Sequence, residues 1–165
     1  MDQKDLDKSV HGYTQMLKRV AESVKGHTAS AIHSAVHKAR DLAIELGELS
    51  QEEAEKIAEY LKRDLRDMGE FAHKTGKSLH DWLQFDVLMI EAQLLDLILS
   101  VADKTRVEWL QFEHSLPQIY QVGEVTGIGS LQCTACGKLQ YFYQIMPIQA
   151  CANCQNTEFK RLVSA

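Results

Sequence analysis

Four thiols at fixed spacing are the residues of this chain most capable of chemistry. Cys133, Cys136, Cys151 and Cys154 form two Cys-x-x-Cys pairs separated by 14 residues, and the chain has no other cysteine. A tight turn across each pair aims two sulfurs at one point, and a hairpin-length spacer folds the second pair back on the first. Four soft donors around one centre suit a single tetrahedral Zn2+ with no coordination position left open, the pattern of a structural site. The same donors would also hold iron. Two disulfides belong to oxidising compartments, and a thioredoxin-like centre uses one pair between a strand and a helix, so zinc is the preferred reading.

The surrounding residues read as a small β ribbon. Gly137 follows the first pair, where a knuckle turn favours positive φ; Gln155 holds the matching place after the second, so that turn must form less comfortably or differently. Between the pairs, Leu139, Tyr141, Tyr143 and Ile145 alternate with Gln140, Phe142, Gln144 and Met146, the period of a strand, and Pro147 stops it. Residues 157–163 return as another strand with Phe159 near the metal, and residues 119–126 form an earlier one, broken by glycines. So small a unit buries little, and bound metal supplies much of its folding free energy.

A much longer helical region precedes the ribbon. Residues 4–46 carry a stripe of Val10, Tyr13, Leu17, Val20 and Val24, then Ile32, Val36, Ala39, Ala43 and Leu46, at alternating spacings of three and four. The phase slips at Gly26-His27-Thr28, which predicts a kink, break or stutter. Gly47 marks an end, and Ser50-x-x-Glu53 is a capping box opening a helix with Ala54, Ile57, Leu61, Leu65, Met68 and Ala72. A third helix is expected from residue 78 or 81 to 114. Its centre is apolar nearly all round, so it must lie between partners, either as the core of a monomeric bundle or as a face for self-association.

Charge is unevenly shared. Residues 1–118 hold 15 Lys/Arg against 21 Asp/Glu, net −6, and residues 119–165 hold 3 (Lys138, Lys160, Arg161) against 2 (Glu124, Glu158), net +1, together the −5 of the whole. Three basic residues make a weak phosphate-binding face, which argues against strong nonspecific nucleic-acid affinity. The most apolar stretch, residues 82–102, contains Asp86, Glu91, Gln93, Asp96 and Ser100, which argues against a membrane-spanning helix. The opening MDQKDLDKSV lacks a charged-then-apolar leader, and with unoxidised cysteine pairs the expected compartment is the cytoplasm.

Other candidate sites are weaker. His33 and His37 stand four apart, a spacing by which two imidazoles can pinch one ion, but no third ligand lies at useful spacing and solvated helix histidines are the better reading. The glycine-rich run 123–129 has neither a Walker ending nor a following helix. No nucleophile–base pair and no carboxylate pair with a defined cleft is present, so an enzyme is not expected.

Three further stretches carry a family resemblance. They are Gly47-Glu48-Leu49 with the helix after it, including Arg63-Asp64-Leu65; Asp103-Lys104-Thr105 with Glu108-Trp109; and Tyr120-x-x-Gly-Glu-Val-x-Gly-x-Gly-x-Leu131-x-Cys133. With them the chain resembles an uncharacterised gammaproteobacterial zinc-ribbon-containing family with a long helical N-terminal region. The resemblance implies Cys133, Cys136, Cys151 and Cys154 as ligands and a cytoplasmic helical protein, and brings no reaction with it. Cys151-Ala152-Asn153-Cys154-Gln155 departs from the Cys-Pro-x-Cys-Gly common in such knuckles, which bears on the turn and not on the ligands.

The expectations are therefore an α+β protein, mainly α, with an antiparallel helical hairpin, bundle or coiled coil over residues 1–117 and a zinc ribbon over 118–165. Its expected role is that of a non-catalytic adaptor with one structural zinc. Tyr141, Phe142, Tyr143 and Met146 would offer a contact surface to a protein partner, and an edge strand could accept a partner strand. Self-association through the helices is a further expectation. The alternative is a nucleic-acid-associated regulator in transcription or translation, with Lys138, Lys160 and Arg161 clustered in the folded hairpin.

Overall fold

The helical stripes fold as amphipathic faces must. A computed structural model describes residues 3–24, 31–75, 92 and 119–161. Among the described residues, three helices, α1 (Gln3–Val24), α2 (Ala31–Glu45) and α3 (Gln51–Thr75), precede six short strands, giving a mainly helical α+β protein. The expected slip at Gly26-His27-Thr28 lies outside the described residues, but α1 and α2 are separate helices packed against each other. The expected third long helix over residues 78–114 also lies outside them, apart from Ala92, which is helical.

Each helix buries its predicted stripe. Tyr13, Leu17 and Val20 from α1, Ile32, Val36, Ala39 and Ala43 from α2, and Ala54, Ile57, Leu61, Leu65 and Met68 from α3 share one core. Full burial of each large aliphatic side chain contributes about 1.5–3 kcal/mol. Leu46, expected in the stripe, is 58% exposed because α2 ends before it. The end is a Schellman motif: Gly47 takes φ 67°, its N–H donates to the Ile44 carbonyl, and the Glu48 N–H donates to that of Ala43. The capping box then opens α3, with the Ser50 N–H donating to Glu53 Oε2 at 2.7 Å and the Glu53 N–H to Ser50 Oγ at 3.3 Å. Lys8 meets Glu53, Gly12 faces Ile57 and Tyr13 reaches Asp64, so α1 and α3 run side by side in one direction. At Gly12 a Cβ would stand 3.0 Å from Ile57 and Leu49 methyls, so glycine permits this close approach.

The strands make two antiparallel sheets. β1 (Ile119–Gln121), β6 (Glu158–Arg161), β3 (Gly129–Cys133) and β4 (Leu139–Phe142) form the larger, in that order; β2 (Val125–Thr126) and β5 (Met146–Pro147) form the smaller. The continuous strand expected over 139–146 is thus two strands in different sheets. Its alternation is reset by the bend between them, and both Phe142 and Ile145 are buried. Tyr120, Leu131, Phe142, Ile148 and Phe159 pack behind Cys133 and Cys151, whereas Val125, Ile128 and Ile145 belong to the helical core. The β2–β5 side of the ribbon therefore completes the core that the helices begin.

Candidate metal centre

Two knuckles built alike present the four sulfurs. In the first, the Cys133 N–H donates to the Lys138 carbonyl at 2.9 Å and the Gly137 N–H to the Cys133 carbonyl at 3.0 Å. The second repeats both bonds, Cys151 N–H to the Asn156 carbonyl at 3.0 Å and Gln155 N–H to the Cys151 carbonyl at 2.8 Å. Gly137 has φ 73° and Gln155 φ 61°, so the second turn adopts the glycine conformation without glycine. Gln155 is the one non-glycine residue with positive φ among those described, at a cost of about 1–2 kcal/mol.

The sulfurs converge. All four lie within 4.8 Å of one another, and Cys133–Cys154 and Cys136–Cys151 approach to 3.6 Å across the knuckles. A tetrahedral ion with bonds of about 2.3 Å to sulfur needs sulfurs about 3.8 Å apart. The cysteines are free thiols, not disulfides, so number, softness and spacing of the donors all fit zinc. Cys133 and Cys151 are buried against the Phe159 side of the ribbon, and Cys136 and Cys154 face solvent.

Local dipoles prepare the thiols for a cation. Burial opposes ionisation of Cys133, but the N–H groups of Cys136 and Ala135 and the neighbouring thiols bring its pKa down to about 6. Cys136 is lowered as well, first by the Lys138 N–H. Cys154 is favoured by the Asn156 N–H, yet Cys136, burial, Cys133 and Cys151 push it up to about 12. Four thiolates cannot gather there unaided, so taking up a divalent ion expels protons. Asn156 Nδ2 adds an outer contact at 3.5 Å from Cys133 Sγ while donating to Thr134 Oγ1 and the Glu158 carbonyl. Nothing in the sequence pattern singled out Asn156.

A buried polar cluster fixes this ribbon to the helices. Asp64 Oδ2 accepts from the Tyr13 hydroxyl and the Gly127 N–H, both at 2.7 Å, and Oδ1 accepts from an Arg161 N–H at 3.0 Å, while the Tyr120 hydroxyl lies between Asp64 Oδ1 at 2.9 Å and Asp67 Oδ2 at 2.6 Å. Asp64 and Arg161 side chains are 1% and 2% exposed. A Cβ on Gly127 would sit 3.1 Å from the Tyr13 oxygen, so glycine lets the ribbon backbone reach the carboxylate. Beside it, Arg63 donates to Glu124 at 2.6 Å and stacks 3.6 Å from the Tyr120 ring centroid, which occupies the guanidinium face where Nε and a second terminal nitrogen make no hydrogen bond. Burial raises the Tyr120 and Tyr13 hydroxyls well above the ordinary phenol range and also raises Asp67. For Arg161, burial favours the neutral form, but Tyr120, Asp64 and Asp67 outweigh it and hold the cation.

The expected cluster of Lys138, Lys160 and Arg161 does not form. Lys138 and Lys160 face solvent, while Arg161 is turned inward onto Asp64. Phe142 is likewise unavailable to a partner, being fully buried behind the thiols. The polar cluster was not foreseen as a cluster, although Arg63-Asp64, Tyr120, Glu124 and Gly127 fall in the stretches that carried the resemblance.

The family model described as a zinc-ribbon containing domain, DUF1451, matches residues 19–163. The chain belongs to this family. Its similar relatives include the uncharacterized protein YbeL of Escherichia coli, in strains K12 and O157:H7. Each is 25% identical over 158 residues, covering 94% of this chain and 97% of the relative. No solved structure matches the chain. Family membership and the convergence of Cys133, Cys136, Cys151 and Cys154 together support zinc binding at this centre. No described helix is long and apolar enough to cross a membrane.

Proposed function

We propose that the protein is a non-catalytic, cytoplasmic interaction module in which one structural zinc stiffens a ribbon that docks a protein partner. The carrying observation is the closed sulfur set, since four cysteine donors leave no position at which a substrate could reach the ion. The polar cluster around Asp64 adds to it by holding the ribbon firmly on the helices, as a docking platform requires. The platform is the outward sheet face. Residues paired across antiparallel strands share a face, which aligns Ile119, Lys160, Gln132 and Leu139 in one row, with Tyr141 beside them. Ile119 and Tyr141 are among the exposed large hydrophobic residues, and aromatic and aliphatic anchors of this kind favour protein contacts.

The test is affinity capture with the zinc-loaded protein and its Tyr141→Ser/Ile119→Ser variant. A partner held by the wild type and lost by the variant, at equal zinc content, supports the reading; identical capture by both removes it. The nucleic-acid alternative is weakened because Arg161 is committed to Asp64, leaving Lys138 and Lys160 as the exposed cations of the described ribbon. Salt-sensitive binding of single-stranded RNA would restore it.

A further inference from the structure

We propose that His33 and His37 on α2 form a second metal site, on the protein surface, for a late first-row divalent ion of the Ni2+, Cu2+ and Zn2+ class. The one-turn spacing alone suggested only solvated histidines. The structure brings their Nε2 atoms to 3.4 Å, with ring centroids 4.4 Å apart and planes inclined at 58°. Metal–imidazole bonds are about 2.0–2.1 Å, so two nitrogens at the tetrahedral angle stand about 3.4 Å apart and two adjacent square-planar ones about 2.9 Å apart. The two nitrogens already stand at a chelating separation. His33 is exposed, so water can complete the coordination sphere. Neutral imidazole suits this class of ion, and affinity along it follows the usual order that peaks at copper.

Neighbouring charges define how the site works. Lys62 on α3 places Nζ 3.2 Å from His37 Nε2. As an ammonium it can only donate, so it occupies the single lone pair of His37 Nε2. Ion binding then requires His33 to carry its proton on Nδ1 and the Lys62 head to swing away. Arg40, one turn from the pair, is tied to Asp41 by bonds of 2.8 and 2.6 Å. Lys62 is thus a built-in competitor that weakens the site, and removing its charge should tighten binding. A solvated histidine pair with no site gives no such sign.

The experiment titrates the zinc-loaded full chain with Ni2+ in a non-coordinating buffer by calorimetry, with metal analysis after dialysis. One added nickel per chain at micromolar free ion is expected, with zinc content unchanged. His33→Ala and His37→Ala should each weaken it at least about tenfold. His11→Ala, an exposed histidine on α1, should leave it unaltered, and Lys62→Gln should strengthen it several-fold. Circular dichroism checks that each variant keeps its helices. The proposal is overturned if the wild type takes up no nickel, if His33→Ala and His37→Ala retain wild-type affinity, if Lys62→Gln weakens binding, or if nickel enters only as zinc leaves.

Discussion

Replacing Arg161 by methionine removes the cation from the polar cluster while keeping an unbranched side chain of similar reach. The change deletes bonds of 3.0 Å to Asp64 and to Thr126, and a longer one of 3.3 Å to the Tyr120 hydroxyl. Breaking a buried ion pair from one side costs about 3–5 kcal/mol, because the other charge stays buried without its partner. Asp64 retains donors from Tyr13 and Gly127, which places the expected loss at the lower end, about 3 kcal/mol. At about 2–4 °C per kcal/mol for a protein of this size, Tm should fall by about 6–12 °C. Urea unfolding of zinc-loaded protein, followed by helical circular dichroism and by chelator-accessible zinc, reads helices and ribbon separately. Both transitions should move together, since Asp64 sits on α3 and Arg161 on β6. Adding Asp64→Asn to Arg161→Met should cost clearly less than the two single losses combined, because neither charge is then stranded. A shift below about 0.5 kcal/mol, the scale of an ordinary surface substitution, or movement of the zinc signal alone, would refute the argument.

Gln155→Gly relieves the left-handed conformation of the second knuckle and should raise stability by about 1 kcal/mol, read as a higher urea midpoint; a lower midpoint would contradict the strain. The Lys8 ammonium, with the Ser50 amide and hydroxyl, holds Glu53 down to about 2 against an ordinary 4.5. A folded pKa below the unfolded one gives stability above about pH 4.5 that is lost on acidification towards 2. The Tm gap between wild type and Glu53→Gln should therefore be widest near neutrality and close across that window, and a pH-independent gap would count against it. The pair is partly exposed, so the gap corresponds to no more than about 1 kcal/mol. Stripping the metal with a strong chelator should lower the melting temperature of the helices as well as dissolve the knuckles, because Val125, Ile128 and Ile145 lie in the helical core. Identical helical melts before and after chelation would show that the two parts are independent.

The convergence of the four cysteines was legible because their spacing is a local property. Cys-x-x-Cys dictates a turn, and the two turns need only a hairpin between them to meet. Helix faces and the Ser50–Glu53 box were legible for the same reason, since their partners lie three or four residues away. Asp64 was not. Its ligands come from positions 13, 120, 126, 127 and 161, and no periodicity links them. A carboxylate on a helix otherwise reads as solvated. The expected contact surface failed at Phe142 because it joined residues from both faces of β4, where Tyr141 points outward and Phe142 inward, and alternation alone does not say which face is covered. Between Phe142 and Met146 the chain changes sheets and the phase is lost.

Arg161 stands 97 positions beyond the carboxylate it neutralises, and Gly127 closes over Tyr13, a residue of the first helix. During synthesis the helices leave the ribosome long before the segment that covers them. Until that segment arrives, the helices lack both the apolar cover of Val125, Ile128 and Ile145 and the counter-charge for Asp64. Native assembly must therefore wait until residues 125–161 have been made. Contacts so distant along the chain make for slow closure, so the apolar face that Val125, Ile128 and Ile145 come to cover stays open through that interval.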